Sequence, residues 1–159
     1  LATRTDVVDE TTYWSYSAYS SQVEEAELHR TWLAGEPTVA PSPVTQAYTN
    51  FLLTSVFVDD YVVGAAAVLP CYWLYAQTGA QITRISDEHP YAAWLHTYHD
   101  DEFAQATAQA LAIVERAFAL AAPQARSRAA RAYLTACRHE MEFFDQALRV
   151  DLDDPGCDE

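Results

Sequence analysis

The sequence contains no lysine: all nine basic residues are arginine, set against twenty-three acidic ones for a formal charge of −14. So acidic a chain repels phosphate backbones and anionic lipid headgroups, and no arginine cluster offsets it. Nucleic acid and anionic membrane surfaces are therefore excluded as partners. Glycine is scarce, at four residues, and no Gly-rich loop is available to cradle a phosphate. The cysteines, Cys71, Cys137 and Cys157, are odd in number and show no CxxC or Cys/His spacing. That usage argues against a disulfide framework or structural zinc, and for a reducing compartment. No apolar run is long enough for a membrane span, and no secretory signal opens the chain at Leu1. No stretch alternates as a strand would.

What remains is a chain half hydrophobic and 13% aromatic, enough to fill a real core. Helical periodicity predicts an all-α fold of five or six helices in a single domain over residues 1–150, followed by an acidic tail at 151–159. Its centre is the run Asp59 to Gly79. From Tyr61 to Ala76 this run carries no charge, as expected of a helix buried on all sides. Pro70 lies within it and removes the hydrogen bond to Ala66, which predicts a kink beside Cys71.

The other helices follow from their apolar spacing and punctuation. The first is expected from Asp9, as N-cap, to Ala34, with Gly35 as the stop and Trp14, Ala18, Ser21, Glu25, Leu28 and Trp32 facing inward. Glu25 on that stripe, one turn before His29, suggests a carboxylate holding a neighbouring side chain. Ser42 caps a helix from Pro43 to about Phe57, with Val44, Ala47, Tyr48, Phe51 and Leu52 inward. A short helix begins at Pro90. Asp100 or Asp101 caps the next, which runs to Ala122 with Phe103, Ala106, Ala110, Ile113, Val114, Ala117 and Phe118 inward. The last helix, from about Gln124 to Val150, has an inward stripe of Tyr133, Ala136, Cys137, Glu140, Phe144, Ala147 and Leu148. A carboxylate at the centre of an apolar stripe is costly unless it is hydrogen-bonded, protonated or faces a polar cavity.

Tested against chemistry, the Glu-x-x-His pairs that hold di-iron in helical bundles are absent, since none of the five histidines has a glutamate three residues before it. No serine nucleophile motif is present. The inward set that remains is Cys71, Glu140 and the phenols Tyr48, Tyr75 and Tyr98. A thiol becomes a nucleophile once a base takes its proton, and a buried glutamate is a serviceable acid/base partner. The aromatic density suits a flat ring as ligand.

Three strings carry a more specific signal: Leu69-Pro70-Cys71-Tyr72-Trp73-Leu74-Tyr75, HPYAAWLHTYHDDEF from His89 to Phe103, and Glu140-Met141-Glu142-Phe143-Phe144. Their order and spacing resemble the TenA family, thiaminase II, from about Tyr13 to Leu148. The resemblance implies a haem-oxygenase-like helical bundle, usually a cytoplasmic homotetramer without metal or organic cofactor, that acts in thiamin salvage. Its substrates are small molecules: 4-amino-5-aminomethyl-2-methylpyrimidine, converted to its hydroxymethyl form, and thiamin, cleaved to pyrimidine and thiazole. Cys71 matches the nucleophile, Glu140 the proton-moving acid, and Tyr48, Tyr75 and Tyr98 the phenols lining the pocket. The family's Gln-Asp-x-x-Tyr segment, which grips the pyrimidine near the N-terminus, has no counterpart, and the family's first helices are expected to be absent. Without them the chain alone is expected to be poorly soluble or inactive. The alternative is a non-catalytic pyrimidine-binding or interaction protein on the same scaffold. An oxidative enzyme like pyrroloquinoline-quinone synthase is disfavoured, because the inward groups are thiol and phenols.

Overall fold

A computed structural model describes residues 1–35, 39–82, 84, 86, 88–89, 91–98 and 100–150. Within them every regular element is helical: a 3-10 turn (Ala2–Arg4), then α1 (Val8–Ser20), a π-helical turn (Ser21–Glu25), α2 (Ala26–Trp32), α3 (Pro43–Val58), α4 (Tyr61–Val68), α5 (Pro70–Gln81), α6 (Ala92–Thr97), α7 (Asp101–Leu120) and α8 (Pro123–Val150). Counting α1 with α2 and α4 with α5 as broken helices gives six among the described residues, within the expected five or six. The tail 151–159 lies outside the described residues.

The core is built on α4, whose residues Val62 to Ala67 are all buried. Its small side chains let α8 approach closely through Ala125, Ala129, Ala132 and Ala136, while α3 and α7 close the other sides. Pro70 splits the central run as its chemistry requires. Leu69 N–H still reaches Ala65, but the next bonds are Tyr72 and Trp73 N–H to the Leu69 carbonyl, so α5 restarts at the proline. The segment is not buried on all sides. Beyond Pro70 the residues Cys71, Tyr72, Leu74, Tyr75 and Ala76 are half-buried and Trp73 is exposed, because α5 runs out along the flank of α7 and α8.

Other inward stripes were also narrower than periodicity predicts. In α1 the cap is Val7, not Asp9, and the buried residues are Glu10, Tyr13 and Trp14, whereas Ala18 and Ser21 are exposed. From Ser21 to Glu25 the winding is π-helical, with a surplus residue that breaks the α-helical register on which the expected stripe rests. The side chains of Glu25, Leu28 and Trp32 lie outside the described set. Gly35 has φ +93°, the left-handed conformation of a helix stop. In α3, α7 and α8, respectively, Ala47, Phe118, and the trio Phe144, Ala147 and Leu148 are exposed. Two other caps are where they were expected: Ser42 Oγ accepts from Thr45 N–H at 3.0 Å and Asp100 from Glu102 N–H at 2.9 Å.

Candidate functional site

Three helices converge on one buried point. Tyr48 comes from the inner face of α3, Cys71 from the first turn of α5 beside Pro70, and Glu140 from α8. Ser42 hydrogen-bonds Gln146, whose Nε2 donates to Thr45 Oγ1 at 3.3 Å, so the start of α3 is tied to α8 and Tyr48 is held opposite Glu140. Tyr48 Oη donates to Glu140 Oε1 at 2.7 Å and lies 3.1 Å from Cys71 Sγ. With the single phenol proton given to Glu140, the thiol proton points at the phenol oxygen. The three groups then form a chain along which a proton can pass from sulfur to carboxylate.

Burial, and then the neighbouring Glu140 charge, push the Cys71 thiol up to about 12, although a phenol turned to donate to the ionised sulfur pulls the other way. At neutral pH Cys71 is therefore a thiol that must lose its proton as it attacks. Burial also raises the Tyr48 phenol well above its ordinary value, with Cys71 and Glu140 adding to it, so Tyr48 relays a proton without ionising. Tyr75 is raised by burial and then by Glu140, which places it in the same electrostatic neighbourhood.

Tyr75 opens the other part of the site. Its ring lies 5.1 Å from Tyr98 and 5.4 Å from Phe144, and Tyr98 meets Phe103 edge-on at 5.1 Å. Tyr75, Tyr98 and Phe144 border a cleft of about 310 Å³, its open mouth included, completed by Thr78, Gly79, Ile82 and Leu95. The cleft's apolar ring faces suit a flat ligand, and its link to the thiol is Tyr75, one turn after Cys71 on α5. Gly79 makes it possible: a Cβ there would stand 2.6 Å from the Tyr98 carbonyl oxygen.

All five residues picked from the sequence are thus brought together, Cys71, Tyr48 and Glu140 in direct contact and Tyr75 with Tyr98 along the adjoining cleft. Two residues were missed as site residues. Phe144 was assigned to the core and lies at the mouth, and His139 was considered only as a metal ligand. The ring of His139 stacks on Tyr48, with centroids 5.2 Å apart and planes at 14°. Its position next to Glu140 was the available signal. Among the described residues no group of three or more His, Cys, Asp or Glu side chains gathers as a metal site, and no helix is long and apolar enough to cross a membrane.

Residues 11–150 match the profile of the TENA/THI-4/PQQC family. The chain belongs to that family. Among its curated relatives is the thiamine biosynthesis multifunctional protein ThiED of Corynebacterium glutamicum, 51% identical over 137 residues that cover 86% of this chain and 18% of the relative. The aminopyrimidine aminohydrolase of Bacillus subtilis is 28% identical over 110 residues, covering 69% of this chain and 47% of the relative. The chain therefore spans a fifth or less of the first relative and about half of the second. A solved TenA homologue from P. horikoshii OT3 superposes with a TM-score of 0.79 at 20% identity, covering 93% of this chain and 72% of the other. Its fold and that of this TENA/THI-4/PQQC chain are the same haem-oxygenase-like helical bundle.

Proposed function

We propose that the chain carries the reactive half of an aminopyrimidine hydrolase of thiamin salvage, with Cys71 as nucleophile and Glu140 as acid/base. The observation behind this reading is the chain from Cys71 Sγ through Tyr48 Oη to Glu140 Oε1, with Tyr75, one turn after Cys71 on α5, lining an aromatic cleft. The Bacillus subtilis relative, named an aminopyrimidine aminohydrolase, points the same way.

In the proposed reaction, Cys71 Sγ adds to an electron-poor carbon of the pyrimidine while its proton moves through Tyr48 to Glu140. Addition breaks the ring's aromaticity and pushes the electron pair toward the substituted methyl. The bond from that methylene to the amine breaks, and the amine leaves with the proton that Glu140 returns. Water then adds to the methylene and loses a proton, the S–C bond breaks, and the thiol is restored. 4-Amino-5-aminomethyl-2-methylpyrimidine gives ammonia and the hydroxymethyl pyrimidine; thiamin gives the pyrimidine and thiazole. Tyr75, Tyr98 and Phe144 supply ring faces for the bound heterocycle. A cytoplasmic homotetramer accompanies this reading, and would cover exposed apolar residues such as Leu53, Phe57, Leu134 and Met141.

The test is ammonia release from the aminomethyl pyrimidine beside Cys71→Ser. Turnover falling by about 10³-fold or more, with the pyrimidine still bound, is expected. Undiminished turnover in the variant would sink the nucleophile assignment. A second reading, a pyrimidine-binding protein without turnover, is favoured by the high proton affinity of the Cys71 thiol. It predicts tight pyrimidine binding and no ammonia in the parent protein.

A further inference from the structure

Tyr48 can join Cys71 to Glu140 only while its ring keeps one tilt. A phenol oxygen lies on its own ring's rotation axis, so spinning the ring does not move it; swinging the ring about the Cα–Cβ bond does. One face of that ring is closed by His139, parallel to within 14° at 5.2 Å. The imidazole is closed in turn by Phe51, 5.2 Å away and one turn after Tyr48 on α3. Ring packing holds it there, for Nδ1 is buried without a hydrogen bond among the described residues and the nearest carboxylate oxygen, of Glu142, is 3.8 Å away.

We propose that His139 is a positioning residue: its flat ring, stacked on Tyr48 and packed against Phe51, fixes the phenol in the orientation that links the Cys71 thiol to Glu140. The proposal rests on reading that link as the reactive site. It gives the imidazole a mechanical role, so another flat ring should serve. An apolar ring also removes the orphaned nitrogen, and His139→Phe should lose no thermal stability.

The thiol itself provides a readout that needs no turnover. Either atom of the Tyr48–Cys71 contact can donate, so when Cys71 ionises the phenol can turn its O–H from Glu140 to the sulfur; a phenol that swings away leaves the thiolate without that donor and the thiol harder to ionise. Iodoacetamide alkylation, followed by mass spectrometry at the Cys71 peptide so that Cys137 is read separately, is measured against pH for the parent, His139→Ala and His139→Phe. Loss of one ring contact should slow alkylation of the alanine variant roughly fivefold at fixed pH and move its profile upward, while the phenylalanine variant follows the parent. Hydrolysis should show the same pattern in kcat with little change in KM.

An unchanged or faster profile in His139→Ala overturns the proposal, and so does His139→Phe behaving like the alanine variant. If the alanine variant does not fold, His139→Leu fills the space without a flat ring; a slowed profile supports the role and a parental one refutes it. Should the parent release no ammonia, the hydrolase reading fails while the alkylation profiles still decide the role of His139.

Discussion

Two carboxylates, Glu10 on α1 and Glu140 on α8, are each 3% exposed, and what surrounds them could hardly differ more. Glu10 receives Arg116 through Nε and Nη2 at 3.1 and 2.9 Å, and Thr5 Oγ1 at 2.8 Å. Tyr61 joins this group and accepts from Trp14 Nε1 at 2.8 Å. Burial alone would push the Glu10 carboxyl up, but the hydrogen bonds of Tyr61, Thr5 and Arg116 outweigh it and hold the acid below its ordinary value. Glu140 has no ion pair among the described residues; it meets a phenol, and a thiol lies one bond further on. A buried acid with a cation is a clamp between helices, whereas one with only neutral, proton-bearing neighbours is equipped to exchange protons.

The largest effect that could break this comparison is on turnover. Glu140→Gln keeps the shape and hydrogen-bonding capacity but cannot take a proton, so kcat should fall by about 10²- to 10⁴-fold with the melting temperature little changed. Glu10→Gln should do the reverse, costing about 1–3 kcal/mol of stability while turnover per folded molecule stays at the parental level. Thermal melts beside kcat for both variants settle it; a Glu10 variant that folds normally and loses turnover would erase the distinction. A smaller effect is expected at the cleft. Gly79→Ala would place a methyl 2.6 Å from the Tyr98 carbonyl oxygen and 2.9 Å from its Cβ, pushing α6 and the Tyr98 ring away from Tyr75. KM should rise several-fold with kcat less affected, measured by steady-state kinetics.

The finest test uses pH. Because the folded Glu10 carboxyl is held below the ordinary value of 4.5, its contribution is fully present above that pH and is lost as pH falls through the lower, folded value. The stability gap between the parent and Glu10→Gln should therefore be constant above about pH 5.5 and close in more acid solution. Denaturant unfolding at several pH values measures it. A gap that widens in acid would mean that Glu10 is not the clamp.

The same pair shows how far the sequence could be read. Glu140 was legible because it interrupts an apolar stripe, and a charge on such a stripe demands an explanation. Glu10 was not, because it precedes the first aromatic residues, and its partner Arg116 lies 106 residues away with nothing local to link them. The helices from Pro43 onward were legible through strong punctuation at Ser42, Pro70 and Asp100. Inward faces failed where geometry changes without a compositional mark. The π turn at Ser21–Glu25 carries no Pro or Gly, and the outer turns of α8 outrun the core, leaving Leu148 exposed. Cys71, Tyr48 and Glu140 were each visible as inward residues. Their meeting depended on helix contacts that no periodicity encodes.

The π turn has a consequence for how this protein can change. A helix with one surplus residue acts as a vernier: removing Ser21 alone would restore ordinary winding and swing the segment Ala26–Trp32 through about 100° around its axis. His29 and Arg30, now exposed, would be turned toward a different side of the molecule. In this region a single-codon deletion could thus re-aim a whole surface while leaving every residue on it unaltered.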